Sequence, residues 1–155
     1  MDIAYPVLNR GRHRKAAPAA GQPPGCDDFD GLRPRRQALL VTYRRSGVAV
    51  PTPVNHGLSE DGHLYFRSEP DAAKIKRIAH TPRVLVIPCN LRGKPLGPGC
   101  AGEARILLAS ENALAQELVG RNWSPAMRLA ERSLDRLGVP EVYVEITPVP
   151  LADTR

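Results

Sequence analysis

Hydrophobic residues occur along this chain in short runs and in strict alternation, and both patterns are typical of β-strands. The run 84–87 is continuously apolar, which indicates a strand covered on both faces. Near the end of the chain, Val142, Val144 and Ile146 alternate with polar or amphipathic residues, as in a half-buried strand. Patterns of these two kinds predict six strands, at 37–45, 48–57, 63–68, 83–90, 100–108 and 141–147.

Short turns and three helices connect the predicted strands. Ser46-Gly47 and the turn at 59–62 would join the first three strands as hairpins. Ser68 and Asp71 have the spacing of a capping box, so a helix is expected to begin there and to end before Thr81-Pro82. Two further helices are predicted at about 110–120 and 124–137. Consecutive hairpins favour a mainly β fold with peripheral helices, an antiparallel barrel rather than a Rossmann sheet.

The first residues differ in composition from the rest of the chain. Residues 1–25 are rich in Pro, Gly and Ala, so we expect little burial to offset the entropy of ordering them. Residues 26–36 form a charged lead-in, in which Phe29 and Leu32 are available to attach it to the core. The sequence therefore predicts a disordered N-terminal arm at 1–33 and one barrel domain at 34–155.

Charge and cysteine content limit the classes of function. The net charge is +6, but half of it lies in residues 1–25, so the barrel itself is too weakly basic to suggest a nucleic-acid partner. No stretch is long and apolar enough for a membrane span. The three cysteines are odd in number and lack metal-ligand spacing, so no metal is expected. We expect reduced thiols and a cytoplasmic protein.

The predicted helix after Ser68 has a cationic face. Lys74, Lys76 and Arg77 lie opposite its apolar stripe, and Arg67 precedes them on a strand. A solvated charged surface and a phosphate-binding surface both agree with this pattern.

The strand 48–57 contains Pro51 and Pro53. Residues two apart point their N–H groups to the same side, so both missing donors fall on one edge of the strand. That edge is either an outer edge or a place where something other than a strand approaches. Thr52 could then offer a hydroxyl and an N–H where the ladder is interrupted. His56 is a weak candidate for a catalytic side chain, and no hydrolytic set of residues is evident.

Two segments of the chain stand out together, ALLVTYRRSGVAVPTPV and LYFRSEPDAAKIKRIAHTPRVLVIPCNLRGKPLGP. They resemble the pyridoxamine 5'-phosphate oxidase-like family of split β-barrel proteins, and especially its actinobacterial branch that uses the deazaflavin coenzyme F420. The resemblance covers about residues 37–108. It implies a six-stranded antiparallel split barrel of the kind that binds flavin mononucleotide (FMN), and a homodimer with cofactor sites at the interface.

The resemblance also implies roles for particular residues. Thr52, Pro53 and Val54 would lie along the tricyclic ring of the cofactor, and Arg67 and Ser68 would border its polar chain. Lys74, Lys76 and Arg77 would hold its phosphate, and Pro88, Cys89 and Asn90 would lie near the ring or the dimer partner.

Three functions are compatible with this interpretation. The first is hydride transfer between F420 and a small organic substrate. The second is an FMN-dependent oxidase or reductase of the same fold. The third is a protein that binds a cofactor without turnover.

Overall fold

The computed structural model describes residues 14–154, without the side chains of Leu134 and Asp135. The strands are β1 (Gln37–Tyr43), β2 (Ala49–Leu58), β3 (Leu64–Ser68), β4 (Arg83–Pro88), β5 (Cys100–Ile106) and β6 (Val142–Pro148). The α-helices are α1 (Ala16–Ala20), α2 (Ala73–His80), α3 (Asn112–Arg121) and α4 (Pro125–Arg136). Short 3-10 helices lie at Asp30–Leu32, Ala109–Glu111 and Leu151–Asp153.

The six strands close into an antiparallel barrel in the order β1-β2-β3-β6-β5-β4. The β1–β2 and β2–β3 hairpins form as the turn residues predict, and Gly47 and Gly62 take the positive φ that those turns need. Closure comes from β6, which pairs with both β3 and β5. The prediction of a mainly β, six-stranded antiparallel split barrel is confirmed.

Alternate residues of each strand fill the barrel interior. Leu40, Phe66, Val86 and Ile146 belong to one buried cluster, which Ile75 and Ile78 of α2 complete. The helix thereby packs its apolar stripe against the barrel and turns its other face outward. Residues next to these on each strand, such as Arg67, project from the outer surface of the barrel.

Helix α2 begins later than its sequence signal predicts. Its N-cap residue is Ala72, which makes no side-chain cap. Ser68 belongs to β3, where its hydroxyl donates to the Glu69 carbonyl oxygen at 3.1 Å. The predicted capping box is therefore wrong, because strand pairing with β6 extends through Ser68 and moves the helix start toward the C-terminus.

The N-terminal segment is more ordered than its composition predicts. Ala16 and Ala20 of α1 are buried against Leu39 and Ile87, so small side chains let the helix lie close to the outer face of β1 and β4. Phe29 and Leu32 are buried in the barrel core, as their apolar character predicts. Over residues 14–33 the structure thus differs from the expected disordered arm, and residues 1–13 of that arm lie outside the described residues.

Two of the three cysteines are bonded to each other. Cys26 of the lead-in forms a disulfide with Cys100 of β5, and Cys89 is a free, buried thiol. The expectation of three reduced thiols is wrong, because a parallel β-bridge brings Cys26 beside Cys100 although 74 residues separate them in sequence. Among the described residues, no helix combines the length and apolarity needed to cross a bilayer.

Candidate functional site

The first part of β2, residues 49–55, has a free edge: in the described barrel no strand pairs with it on the side opposite β1. β2 pairs with β1 along Ala49–Asn55 but with β3 only from His56 to Leu58. Pro51 and Pro53 lie in the part that β3 does not reach. A proline fits within a continuous ladder only where its nitrogen faces away from the partner strand, so the carbonyls of both prolines face the free edge. The predicted proline edge is confirmed.

Thr52 does not contribute to this edge as the sequence suggested. It lies opposite Leu40, a residue of the barrel interior, and only 7% of it is exposed. Because backbone groups alternate along a strand, its N–H faces β1 rather than the free edge. Pro53 is therefore the residue of the Thr52–Val54 stretch whose side chain lies on the outer face.

A groove of about 180 Å³ lies beside the free edge, between the barrel and α4. The barrel contributes one wall, and the end of α3 and the inner side of α4 contribute the other. The lining residues are Pro53, Val54, Asn55, Arg67, Lys74, Val119, Trp123, Met127 and Glu131. Four of the residues proposed from the sequence, Pro53, Val54, Arg67 and Lys74, come together here.

Arg67 is held at the centre of the groove by charged and aromatic neighbours. Its Nη2 lies 2.8 Å from Oε1 of Glu141, and it also forms an ion pair with Glu131 of α4. The guanidinium carbon lies 4.7 Å from the centroid of the Trp123 ring. Only 8% of the Arg67 side chain is exposed, so its charge needs these partners to remain buried.

Lys74 is the cation of α2 that reaches the groove. Lys74 is half-buried, and this burial lowers the pKa of its ammonium group. The nearby charge of Arg77 lowers the pKa further, whereas the charge of Glu69 raises it. Nε of Arg77 donates to Oγ1 of Thr42 at 2.6 Å, which ties α2 to β1. Lys76 is exposed on another side of the helix.

The other proposed residues lie elsewhere. Pro88 borders a separate cavity of about 220 Å³ next to the disulfide. Cys89 is buried under α1, and burial raises the pKa of its thiol to about 11. Oδ1 of Asn90 accepts the N–H groups of Arg92 and Lys94, which orders the following loop. Since β1 separates β4 from β2, these three residues are not part of the groove within one chain.

His56 is likewise outside the groove. Its side chain is buried, and Nε2 lies 3.0 Å from the Leu32 carbonyl oxygen, while Nδ1 has no hydrogen-bond partner in the described part of the chain. Burial lowers the pKa of this imidazole, and the contact with Leu32 only partly opposes that effect. His56 thus fastens the lead-in to β2.

Sequence reasoning missed the two glutamates of the groove. Glu131 lies one helical turn after Met127, on the same side of α4. A carboxylate at that position of an amphipathic helix was the feature of the sequence that could have indicated a role for Glu131. Glu141 had none, because its role follows from the pairing of β6 with β3, which brings it next to Arg67.

Similar proteins were found by structure alone. No protein-family model and no curated protein matches the sequence. The fold resembles that of the conserved hypothetical protein Rv2991 from Mycobacterium tuberculosis, with 15% identity, coverage of 82% of this chain and 86% of that one, and a TM-score of 0.58. It also resembles a pyridoxamine 5'-phosphate oxidase-related, FMN-binding protein from Nostoc punctiforme, with 15% identity, 73% and 71% coverage, and a TM-score of 0.51.

A FAD-binding protein from Mesorhizobium loti is similar as well, with 21% identity, 76% and 82% coverage, and a TM-score of 0.50. This chain has the pyridoxamine 5'-phosphate oxidase-like split-barrel fold. At such low identities the likeness establishes the fold and leaves the activity to the chemistry of the site. The expected F420 branch remains a prediction.

The groove agrees with a phosphorylated tricyclic cofactor in chemistry but not in volume. Pro53 and Trp123 provide apolar surface, and Lys74 and Arg67 provide cations. Cofactor pockets, however, usually measure about 300–1,000 Å³. With α4 in this position, the groove of about 180 Å³ is too small for such a molecule.

Proposed function

We propose that this protein is an oxidoreductase that uses the deazaflavin F420 to transfer hydride to or from a small organic substrate. The observation that carries the proposal is the free, proline-containing edge of β2 beside Lys74 and Arg67, in a split barrel. The resemblance of residues 37–108 to the F420 branch supports the choice of cofactor. A cytoplasmic location stays a proposal, and the Cys26–Cys100 disulfide removes the argument for it from reduced thiols.

FMN is the second candidate. Two proteins with the same fold are described as binding FMN and FAD, which supports a flavin as the alternative cofactor. The chemistry of either cofactor would be hydride transfer at its ring. A protein that binds the cofactor without turnover is the remaining alternative.

The part of this chain in such a reaction is binding and orientation. Pro53, with its side chain on the outer face and its carbonyl at the unpaired edge of β2, offers a rigid wall for a flat ring. Lys74 offers the cation best placed for a phosphate, because its stem is half-buried and its position on α2 is set by the Ile75 and Ile78 packing. Ser68, Lys76 and Arg77 remain proposed contacts of the polar chain or phosphate.

Titration of the purified protein with F420 and with FMN tests the proposal. We expect micromolar binding of one of them, followed by substrate-dependent oxidation of its reduced form. Binding of neither cofactor would overturn the site assignment. Tight binding without oxidation across a broad substrate panel would select the non-catalytic alternative.

Replacement of Lys74 by Ala is expected to weaken cofactor binding by about tenfold or more, because it removes a charge-assisted contact to the phosphate. Lys94→Ala removes the same charge from an exposed position in the loop after β4, outside the groove, and serves as the matched control. The loss for Lys74→Ala should shrink as salt concentration rises. Equal affinities for the two variants would mean that the phosphate does not bind at Lys74.

We also propose a homodimer, as the resemblance implies. Pro88, Cys89 and Asn90 could approach a cofactor only from a second copy of the chain. Leu108 and Leu114 are large apolar side chains with 69% and 50% exposure in the single chain, which supports an association surface. The mass of one chain is 16.9 kDa. Sedimentation equilibrium at micromolar concentration should give twice this mass. A single-chain mass across that range would contradict the dimer.

A further inference from the structure

Helix α4 is attached to the barrel by few contacts. None of its side chains that the structure describes is buried, and Met127 and Glu131 are the two that are half-buried. Leu129 on its outer side is 68% exposed. Among the side chains that the structure describes, Nδ2 of Asn55 contacts Sδ of Met127 at 3.3 Å, and Glu131 forms the ion pair with Arg67. A helix held in this way can leave the barrel without exposing a core.

The two carboxylates beside Arg67 have different origins. Glu141 directly precedes β6, whose pairing with β3 reaches Val142, so the barrel holds the backbone next to Glu141 and keeps its carboxylate near Arg67. Glu131 reaches Arg67 only when α4 lies on the groove. With α4 in place, Arg67 faces two carboxylates, those of Glu131 and Glu141. Without α4, Arg67 faces Glu141 alone, and the charge of the groove becomes more positive by one unit.

We propose that α4 is a lid over the groove and that Glu131 is its latch. The Glu131 carboxylate occupies the position beside Arg67 that an anionic group of the cofactor takes when the lid opens. This inference rests on the proposed function and adds a specificity rule to it. A ligand must both displace Glu131 from Arg67 and supply a negative charge in its place, so FMN is favoured over its uncharged counterpart riboflavin.

The lid can be observed without any cofactor. Trp123 is the single tryptophan of the sequence, and its ring lies on Arg67 next to α4. Glu131→Gln removes the ion pair, so we expect a red-shifted emission of Trp123 and faster quenching by acrylamide. Glu117→Gln is the matched control, because Glu117 pairs with Arg121 at an exposed site on α3. Emission and quenching that are the same in Glu131→Gln as in the natural protein would overturn the latch.

Binding measurements test the competition. Glu131→Gln is expected to bind FMN about tenfold more tightly than the natural protein, because the cofactor no longer displaces a charged partner of Arg67. The ratio of the riboflavin dissociation constant to the FMN dissociation constant should also be smaller for Glu131→Gln than for the natural protein. Unchanged or weaker FMN binding, with the natural protein binding measurably, would contradict the latch.

A cross-link tests the lid independently of charge. Asn55→Cys combined with Met127→Cys, bridged by a short reducible bis-methanethiosulfonate reagent, should close α4 onto β2, since the tips of the two natural side chains meet. FMN and F420 binding should be lost in the cross-linked double variant and return on reduction, while the natural protein treated with the same reagent and reductant keeps its affinity. Full affinity in the cross-linked form would overturn the lid. If neither cofactor binds the natural protein while Trp123 still responds to Glu131→Gln, the proposed function fails and the latch stands.

Discussion

At the scale of single residues, His56 shows how burial converts a titratable group into a structural one. The imidazole lies at the seam between β2 and the lead-in, where Nε2 contacts the Leu32 carbonyl oxygen. Burial lowers its pKa from the ordinary value of 6.5. The folded state therefore holds this proton less readily than the unfolded chain does.

This difference predicts a dependence of stability on pH. Above pH 6.5 both states carry a neutral imidazole, and the full stability is present. As the pH falls below 6.5 the unfolded chain takes up a proton that the folded protein refuses, so the free energy of unfolding decreases by at most about 1.4 kcal/mol per pH unit. Urea unfolding at pH 7.5, 6.5 and 5.5, followed by circular dichroism, measures the slope.

His56→Gln is the matched variant, because Gln retains an N–H donor for Leu32 but does not titrate. Its free energy of unfolding should change less over the same pH range. The carboxyl groups whose pKa is lowered, such as Glu145, lose their contribution only at more acidic pH. Equal slopes for the two proteins would show that the folded and unfolded states bind the His56 proton equally.

The candidate site could be predicted from the sequence only in part, and the residue scale shows why. Pro53 and Lys74 carry local signals, a missing donor on a strand and a cation on a helix face. Arg67 had the right position but an unforeseen environment. Its partners Glu131 and Glu141 come from a helix and a strand far along the chain, so only the barrel topology brings them together.

At the scale of elements, the placement of α3 depends on a glycine of β2. A Cβ at Gly57 would lie 2.4 Å from the backbone carbon and oxygen of Leu118, so α3 packs on the strand with direct backbone contact. This close approach positions Val119 and Trp123 at the groove. Gly57 therefore determines where one wall of the site lies.

Gly57→Ala is expected to destabilise the protein by about 1–3 kcal/mol, because the methyl group has no space and α3 must shift. Gly120→Ala is the control on the facing helix, since nothing lies within 4 Å of a Cβ at that position. That change should stabilise the helix by about 0.5–1 kcal/mol. Thermal unfolding of both variants measures whether each substitution lowers or raises the stability. If Gly57→Ala leaves the stability unchanged, α3 is not tightly packed on β2.

The elements themselves were largely predictable. All six strands occur where alternation or apolar runs indicated, with ends that differ by a few residues. Helix α1 was missed, because a five-residue segment containing Pro18 carries no periodic pattern and depends on packing against β1 and β4. A sequence pattern predicts an element whose own residues form a periodic arrangement of apolar side chains. It misses an element that forms only because it packs against neighbouring parts of the fold.

At the scale of the whole molecule, the N-terminal segment completes the barrel. The lead-in places Phe29 in the core, and the amide of Leu151 donates to Oδ1 of Asp27 at 2.8 Å, so both ends of the described chain meet there. The sequence predicted the barrel from its hairpins and the attachment of the lead-in through Phe29, but not the contact between Asp27 and Leu151. Long-range contacts of this kind leave no local pattern, because each partner alone resembles an ordinary surface or loop residue.

The Cys26–Cys100 disulfide makes that closure covalent. It joins the lead-in to β5 across 74 residues, so in the chain-entropy account it restricts the unfolded ensemble by about 4 kcal/mol. The double variant Cys26→Ala/Cys100→Ala should lose much of this amount in urea unfolding under oxidising conditions. The difference should disappear when dithiothreitol is present, because the natural protein then loses the same constraint.

Cys89→Ala is the control, because it leaves the disulfide intact. The free energy of unfolding of Cys89→Ala should differ from that of the natural protein by the same amount with and without dithiothreitol. If denatured, unreduced protein reacts with three equivalents of a thiol reagent instead of one, the cross-link is absent and the lead-in is held by packing alone.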